Sequence, residues 1–219
     1  MYSWFYPIAA ILQPVLTFFF NLTQDWGLAI IIFTLFIKST LFFLNLRVAR
    51  QQVKQAKLQP QLQELRKQSK DDPKKLAEAN LQLYKENGIK PFSTIAVALL
   101  QMPIFMGMYG LFVLHGGAMT SMLVPWVATL AHADSSHIMP FLAAALTFAS
   151  SMIPLTSEMS LQTSTRQKLG ISVFASTIYI FMMWRSPIAL GLYWATSSLY
   201  GLLERWFYRT NVGKNLLLR

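Results

Sequence analysis

Lysine 38 is the residue whose place in the chain asks for a chemical reason. It sits inside Leu28–Leu46, an apolar run otherwise broken only by a few hydroxyls and amides. An ammonium at that depth in hydrocarbon costs about 2.5–3.5 kcal/mol on insertion scales, and such residues face a bundle interior or a water-filled cavity. Snorkelling toward Arg47 is the bland alternative, limited because a lysine stem covers only part of the way from mid-run. The other apolar runs hold no Asp or Glu except Glu204, near the end of the last one. Lys38 therefore reads as a cation kept for a group that arrives, attracting and hydrogen-bonding a carboxylate or another polar segment.

Polar companions can be placed by phase. Thr34 lies one turn before Lys38 and shares its face. Gln101 falls midway along the second apolar run, just before Met102-Pro103. Ser150, Ser151, Thr156 and Ser157 line the later half of the third, and Trp194, Thr196, Ser197 and Ser198 sit in the last. Serine and threonine are common glue between membrane helices, so each is weak alone. Together they permit a polar groove in one half of a small bundle. His115, His132 and His137 gather with Asp134 near one loop, but loop histidines without a metal are the ordinary case; no metal and no cofactor is expected. The chain has no cysteine, which excludes thiolate sites, disulfides, cysteine catalysis and thioether lipidation.

Composition dictates which elements carry these residues. Of 219 residues, 54% are apolar and 13% charged, against about 25% charged in soluble domains. A conventional soluble enzyme and a disordered chain are both excluded. A span needs about 20 apolar residues to cross ~30 Å of hydrocarbon. The runs predict an all-α membrane protein with five transmembrane helices at 27–46, 92–114, 138–157, 171–185 and 187–207. The fourth is clean only over Ile171–Trp184, about 21 Å of helix, so Leu169 and Gly170 or a thinned bilayer must supply the rest. Residues 1–26 are aromatic but interrupted by Pro7 and Pro14, and read as an interfacial helix on the outer face; a sixth span is the competing reading.

The basic residues, 19 Lys and Arg against 9 Asp and Glu, alternate with the runs. Segments 1–27 and 115–137 have none, 47–91 has eleven, and 158–170 and 208–219 are basic, with Arg185 the one mild exception. The positive-inside rule puts the N-terminus and the 115–137 loop outside, and the 158–170 loop and the C-terminal tail in the cytoplasm. Segment 47–91 reads as a cytoplasmic helical hairpin: Asp72-Pro73 starts its second helix, Gly88 stops it, Ser69–Asp72 is the turn, and Leu76, Ala77, Leu81 and Tyr84 form its apolar stripe. The hairpin is either a solvated connector or a docking surface for a ribosome, targeting factor or nascent chain, through Arg47, Arg50, Lys54, Lys57, Arg66 and Lys67, with Lys214 from the tail.

Three stretches carry a family resemblance over nearly the whole chain. Trp26-Gly27-Leu28-Ala29-Ile30-Ile31 leading to Thr34 and Lys38 resembles the first core span of the YidC/Oxa/Alb membrane insertases. Gly88-Ile89-Lys90-Pro91-Phe92 followed by Leu100-Gln101-Met102-Pro103-Ile104-Phe105 is similar to the second span. Leu192-Tyr193-Trp194 with Ser197-Ser198-Leu199 resembles the last. The resemblance implies a five-span core with a hydrophilic groove open to cytoplasm and lipid and closed to the outside. It implies that Lys38 stands where the family keeps an arginine, retaining charge but losing the planar fork. Thr34 would be the groove threonine and Trp194 an aromatic substrate contact. The family's external sensor part and lipid-modified cysteine have no counterpart here, which implies a minimal bacterial member or a trimmed chain.

The function so implied is insertion of nascent single- or double-span proteins into a bacterial inner membrane, without nucleotide hydrolysis and without enzymatic catalysis. The groove would replace water around a polar segment, and burial of the apolar part in lipid would drive release. The implied partners are the nascent chain, the ribosome, the lipid bilayer, a targeting factor and the Sec translocon, with no direct DNA role. The alternative is a small transporter or channel with Lys38 as an ion or proton site, although the chain shows neither an inverted repeat nor an acid–base relay.

Overall fold

The computed structural model describes residues 6–68, 72–90, 93–156, 159 and 164–218. Its helices are α1 (Tyr6–Thr23), α2 (Trp26–Thr40), α3 (Phe42–Lys57), α4 (Gln59–Gln68), α5 (Pro73–Glu86), α6 (Ser93–His115), α7 (Ile138–Met152), α8 (Thr165–Met183), α9 (Ile188–Phe207) and α10 (Asn211–Leu218). Among the described residues the strand content is a single antiparallel bridge, Ala133 to Pro187.

Helix ends follow local chemistry. Asp25 caps α2 from an extended backbone, its Oδ1 accepting from the Leu28 N–H at 2.9 Å; this satisfies one of the orphan donors of the first turn. The first apolar run does not form one straight rod. It breaks at Leu41, where α2 and α3 meet at 59°, so α3 runs through the boundary expected at 46/47. Thr40 Oγ1 donates back to the Phe36 carbonyl at 2.9 Å, a bond that bends helices, and Ser39 precedes it. The third expected span also ends early: α7 stops at Met152 because Pro154 holds Ile153 in an extended conformation (ψ 110°). Conversely α8 begins at Thr165, capped by Ser164 Oγ accepting from the Gln167 N–H. With 19 residues it reaches about 28 Å, while the 15 residues of α7 reach only about 22 Å. The added length of α8 is a polar first turn with Arg166 and Lys168, so its apolar part begins at Leu169 and Gly170, while α7 is short throughout.

The bundle packs in sequence, α1 against α2 and α6, α2 against α9, α9 against α7, and α7 against α8. Its main core joins Leu12 and Leu16 of α1, Ile30 and Phe33 of α2, Leu111 and Phe112 of α6 and Ile188, Leu190 and Tyr193 of α9. Gly107 lets α1 approach α6 closely, since a Cβ there would lie 2.4 Å from Ile8 Cγ2. The loop between α6 and α7 is not a loose connector. Met119, Val124 and Leu130 are buried in the same core, each worth about 1.5–3 kcal/mol against exposure to water, and they close that end of the bundle. Asp25 ties the loop down, accepting from the Ser121 hydroxyl at 2.8 Å and the Met122 N–H at 2.7 Å.

At the opposite end α3 packs its Leu46, Ala49 and Val53 against Leu155, Tyr208 and Leu217. In the hairpin, Asp72 caps α5 by accepting from the N–H groups of Lys74 and Lys75, and Gly88 has φ 60°, a left-handed stop that favours glycine. Most of the expected turn, residues 69–71, lies outside the described residues. The apolar seam is Leu58, Leu62 and Ile89 with Leu83 and Tyr84. Leu81, expected in the stripe, is 47% exposed.

Among the described residues no single helix is long and apolar enough to cross a membrane by itself; the bent pair α2–α3 is, taken together. The outward surfaces are nonetheless strongly apolar. Phe18, Ile32, Leu35, Phe36, Phe141, Leu199 and Leu203 are all exposed. Helix α8 is turned inside out: Phe174 is 69% and Phe181 83% exposed, while Ser172 and Ser176 are buried toward the bundle.

Candidate functional site

Five helices bring one polar side chain or more to a shared cavity of about 280 Å³. Lys38 comes from the last turn of α2, just before the bend. Gln101 and Phe105 come from α6, Thr147, Ser150 and Ser151 from α7, and Tyr179 from α8. Helix α9 supplies Tyr193, Trp194, Ser197, Ser198, Gly201 and Arg205, a face that recurs every three to four residues. Ser157 lies outside the described residues, and Thr156 and Thr196 are buried and do not line this cavity, but Lys38, Gln101, Ser150, Ser151, Trp194, Ser197 and Ser198 line one space. Thr34 does not. It is fully buried and donates to the Ile30 carbonyl at 2.6 Å, so its hydroxyl is consumed within α2.

The walls are held by bonds between helices. Gln101 Nε2 donates to the Tyr193 hydroxyl, joining α6 to α9. Thr147 Oγ1 and Ser198 Oγ share a hydrogen bond at 2.9 Å between α7 and α9. Trp194 stands edge-to-face against Phe105 and Tyr179, with ring centroids 5.0 and 4.5 Å apart. Ser151 donates to Phe148 O at 2.8 Å within its own helix. Lys38 makes no hydrogen bond or close ion pair among the described residues; the charge in electrostatic contact with it is Glu204. The cavity thus offers an ammonium, a guanidinium, hydroxyls and an amide. It can stabilise a carboxylate or an unpaired peptide group, and it has the composition of a polar binding site.

Sequence reasoning missed Arg205, Tyr193 and Thr147 as wall residues. Arg205 and Thr147 carried a signal: Arg205 lies four residues after Gly201 and eight after Ser197, and Thr147 lies three and four before Ser150 and Ser151. The Gln101–Tyr193 bond is tertiary and has no signature in either segment.

The basic residues assigned to docking divide into two groups. Arg47, Lys54, Arg66, Lys67 and Lys214 are exposed, as is Lys57. Arg50 is turned to another use: its Nε and Nη2 both donate to the Leu216 carbonyl, at 3.2 and 2.7 Å, fastening α10 onto α3. In the far loop the histidines do not converge on Asp134. That carboxylate is buried and accepts from Trp126 Nε1, the Ser136 N–H and the Met139 N–H at 2.9, 3.1 and 2.7 Å. His132 pairs with Thr129, and His137 lies against Trp184 with ring centroids 3.8 Å apart.

The family model described as "60Kd inner membrane protein" matches residues 18–215. The chain is 32% identical over 219 residues to a protein of Histophilus somni strain 2336 named membrane protein insertase YidC, covering 100% of this chain and 40% of that one. A protein of the same name from Chlamydia caviae is 29% identical over 220 residues, covering 92% of this chain and 27% of that one. The chain therefore spans well under half the length of these relatives. Among solved structures, one titled "Active YidC insertase crystal structure with the first transmembrane domain resolved" superposes with a TM-score of 0.65 at 29% identity, over 92% of this chain and 45% of that one. The match from before α2 into α10, carried on a helical bundle of the same fold, makes the chain a member of the YidC/Oxa family, whose model bears the description 60Kd inner membrane protein.

Proposed function

We propose that this chain is the bilayer-embedded core of a membrane protein insertase, in which polar segments of nascent membrane proteins pass through the cavity around Lys38. One observation carries the reading: a cation in a hydroxyl- and amide-lined cavity, walled by helices whose outward faces are apolar. The name shared by the relatives supports the same activity. A transporter reading has no comparable support.

In this reading α2 with the start of α3, then α6, α7, α8 and α9, are the five spans, and α1 lies at the outer interface. The loop of residues 116–137 faces outward and the hairpin and tail face the cytoplasm, following the distribution of basic residues. The buried Met119, Val124 and Leu130 support closure on the outer side. A polar segment leaves water for the cavity, where Lys38, Gln101, Ser150, Ser151 and Ser197 replace part of its hydration. Its apolar partner segment moves along the exposed faces of the wall helices into lipid. Burial of that segment drives the step with no nucleotide hydrolysis. Trp194, braced between two aromatic rings, offers a flat contact for the passing chain. The substrates are single- and double-span nascent proteins. The exposed Arg47, Lys54, Lys57, Arg66, Lys67 and Lys214 present a basic face to a ribosome or targeting factor, and a Sec translocon is the remaining expected neighbour.

The test is insertion into liposomes containing the purified chain, comparing Lys38, Lys38→Arg and Lys38→Ala on a substrate with an acidic translocated segment. Lys38→Arg is expected to retain insertion and Lys38→Ala to lose at least about tenfold, the scale of one uncompensated charge. Equal insertion by Lys38→Ala and wild type contradicts the reading.

A further inference from the structure

The wall helices α2, α6, α7, α8 and α9 carry a single carboxylate, Glu204, and its surroundings are specific. A second cavity of about 230 Å³ lies beside the first, lined by Asn45, Gln52, Glu204, Arg205 and Tyr208 among others. The two share Ser150, Gly201 and Arg205, so Arg205 stands at the neck between the Lys38 chamber and the Glu204 chamber. Glu204 is in electrostatic contact with Lys38 and with Arg205. Two bonds fix this arrangement. Tyr208 Oη donates to Glu204 Oε1 at 2.8 Å, and Arg205 Nη1 donates to the Ile153 carbonyl at 2.7 Å.

The charges need an account. A lysine and an arginine around one chamber would hold any carboxylate strongly, and an insertase that holds its substrate cannot release it. Arg205 is already engaged with the end of α7, where a cation complements the helix C-terminus. Lys38 has no such bond among the described residues, and Glu204 lines the adjoining chamber, across Arg205, without an ion pair to Lys38. Tyr208 competes with Lys38 for that carboxylate, and Tyr208 is itself fixed: it is buried, and its ring packs against Phe42 with centroids 6.4 Å apart.

We propose that Glu204 is a built-in counter-charge to Lys38, which an incoming carboxylate-bearing segment displaces electrostatically, so that Glu204 sets how acidic a segment must be to be accepted and how readily it leaves. This rests on the groove reading above and adds a specificity-determining residue to it.

The experiment uses the full chain in liposomes and substrates that differ only in carrying zero, one or two carboxylates in the translocated segment. The quantity read is the ratio of acidic to neutral insertion. Glu204→Gln is expected to raise that ratio about threefold to tenfold for the one-carboxylate segment, and Glu204→Asp to keep it near wild type. In a Lys38→Ala background Glu204→Gln should change nothing, because the effect acts through Lys38. Tyr208→Phe keeps the ring but frees the carboxylate toward Lys38, and should lower the ratio. This opposite sign keeps the test decisive if Glu204→Gln assembles poorly. An unchanged ratio in Glu204→Gln or Tyr208→Phe, while Lys38→Ala still abolishes the acidic preference, overturns the counter-charge alone. If Lys38→Ala has no effect either, the groove reading itself fails.

Discussion

Arg205 and Ile153 join the ends of two helices: the guanidinium donates to the carbonyl at 2.7 Å, tying α9 to the residue where Pro154 stops α7. The bond sits at the neck of the Lys38 cavity, so the same side chain that lines the site also fixes the distance between two of its walls.

Arg205→Ala removes a charge-assisted bond and leaves a helix-end carbonyl without its partner. Such bonds are worth about 1.5–3 kcal/mol, and a lower thermal midpoint is expected for the detergent-solubilised protein. Arg205→Lys should recover only part of the loss, because the shorter lysine stem stops before the position of Nη1 that donates to Ile153. A midpoint unchanged in Arg205→Ala would show that the bond does not hold α7.

Asp25 makes stability depend on pH. Burial acts to raise the pKa of its carboxyl, but the N–H groups of Leu28, Met122 and Gly27 and the Ser121 hydroxyl outweigh it, holding the group below the ordinary carboxylate range. The folded value lies below the unfolded one, so the contribution is fully present above the unfolded value, about pH 4, and is lost as pH falls through the folded value. Thermal midpoints of wild type and Asp25→Asn should differ at pH 7 and converge below about pH 4. A constant gap across that range would exclude the carboxylate as its source.

Gly107 is a steric contact point between α1 and α6. Gly107→Val would drive its side chain into Ile8 and Leu12, whose atoms lie 2.4 and 2.9 Å from an added Cβ. The expected cost is about 1–3 kcal/mol, read as a lower unfolding temperature. Gly117→Val, at a position where an added Cβ meets nothing, is the control and should cost much less.

Arg50 and Lys54 should separate in a binding assay. Arg50→Ala is expected to release α10 from α3, exposing sites near Leu216 to limited proteolysis. Lys54→Ala changes only an exposed charge and should leave the digestion pattern intact, while weakening ribosome co-sedimentation in a salt-dependent way. Identical digestion of both variants would contradict the anchoring role of Arg50.

Much of the site was legible because its signal is local. Lys38 violates the hydropathy of its run, and Gln101, Ser150, Ser151, Trp194 and Ser197 interrupt theirs; helical phase then turns such residues toward one side. Thr34 shared that phase, yet its hydroxyl found an acceptor in its own helix, which phase cannot reveal. The bend at Leu41 and the early end of α7 had written causes in Ser39-Thr40 and Pro154, but hydropathy averages over them. The buried loop residues Met119, Val124 and Leu130 and the anchoring of Arg50 to Leu216 depend on partners at long sequence separation. In a segment read by charge alone, Arg50 looks like its exposed neighbours.

A carboxylate-bearing segment should occupy the cavity because of Lys38. The natural absence of cysteine gives a clean background: Ser197→Cys on the cavity wall, paired with a cysteine in the acidic segment of a ribosome-held nascent chain, allows disulfide yield to be measured. With Lys38 present the yield should be high for an acidic segment and fall at least about tenfold when Lys38→Ala is combined with Ser197→Cys. Equal yields with lysine and alanine at position 38 would contradict the account.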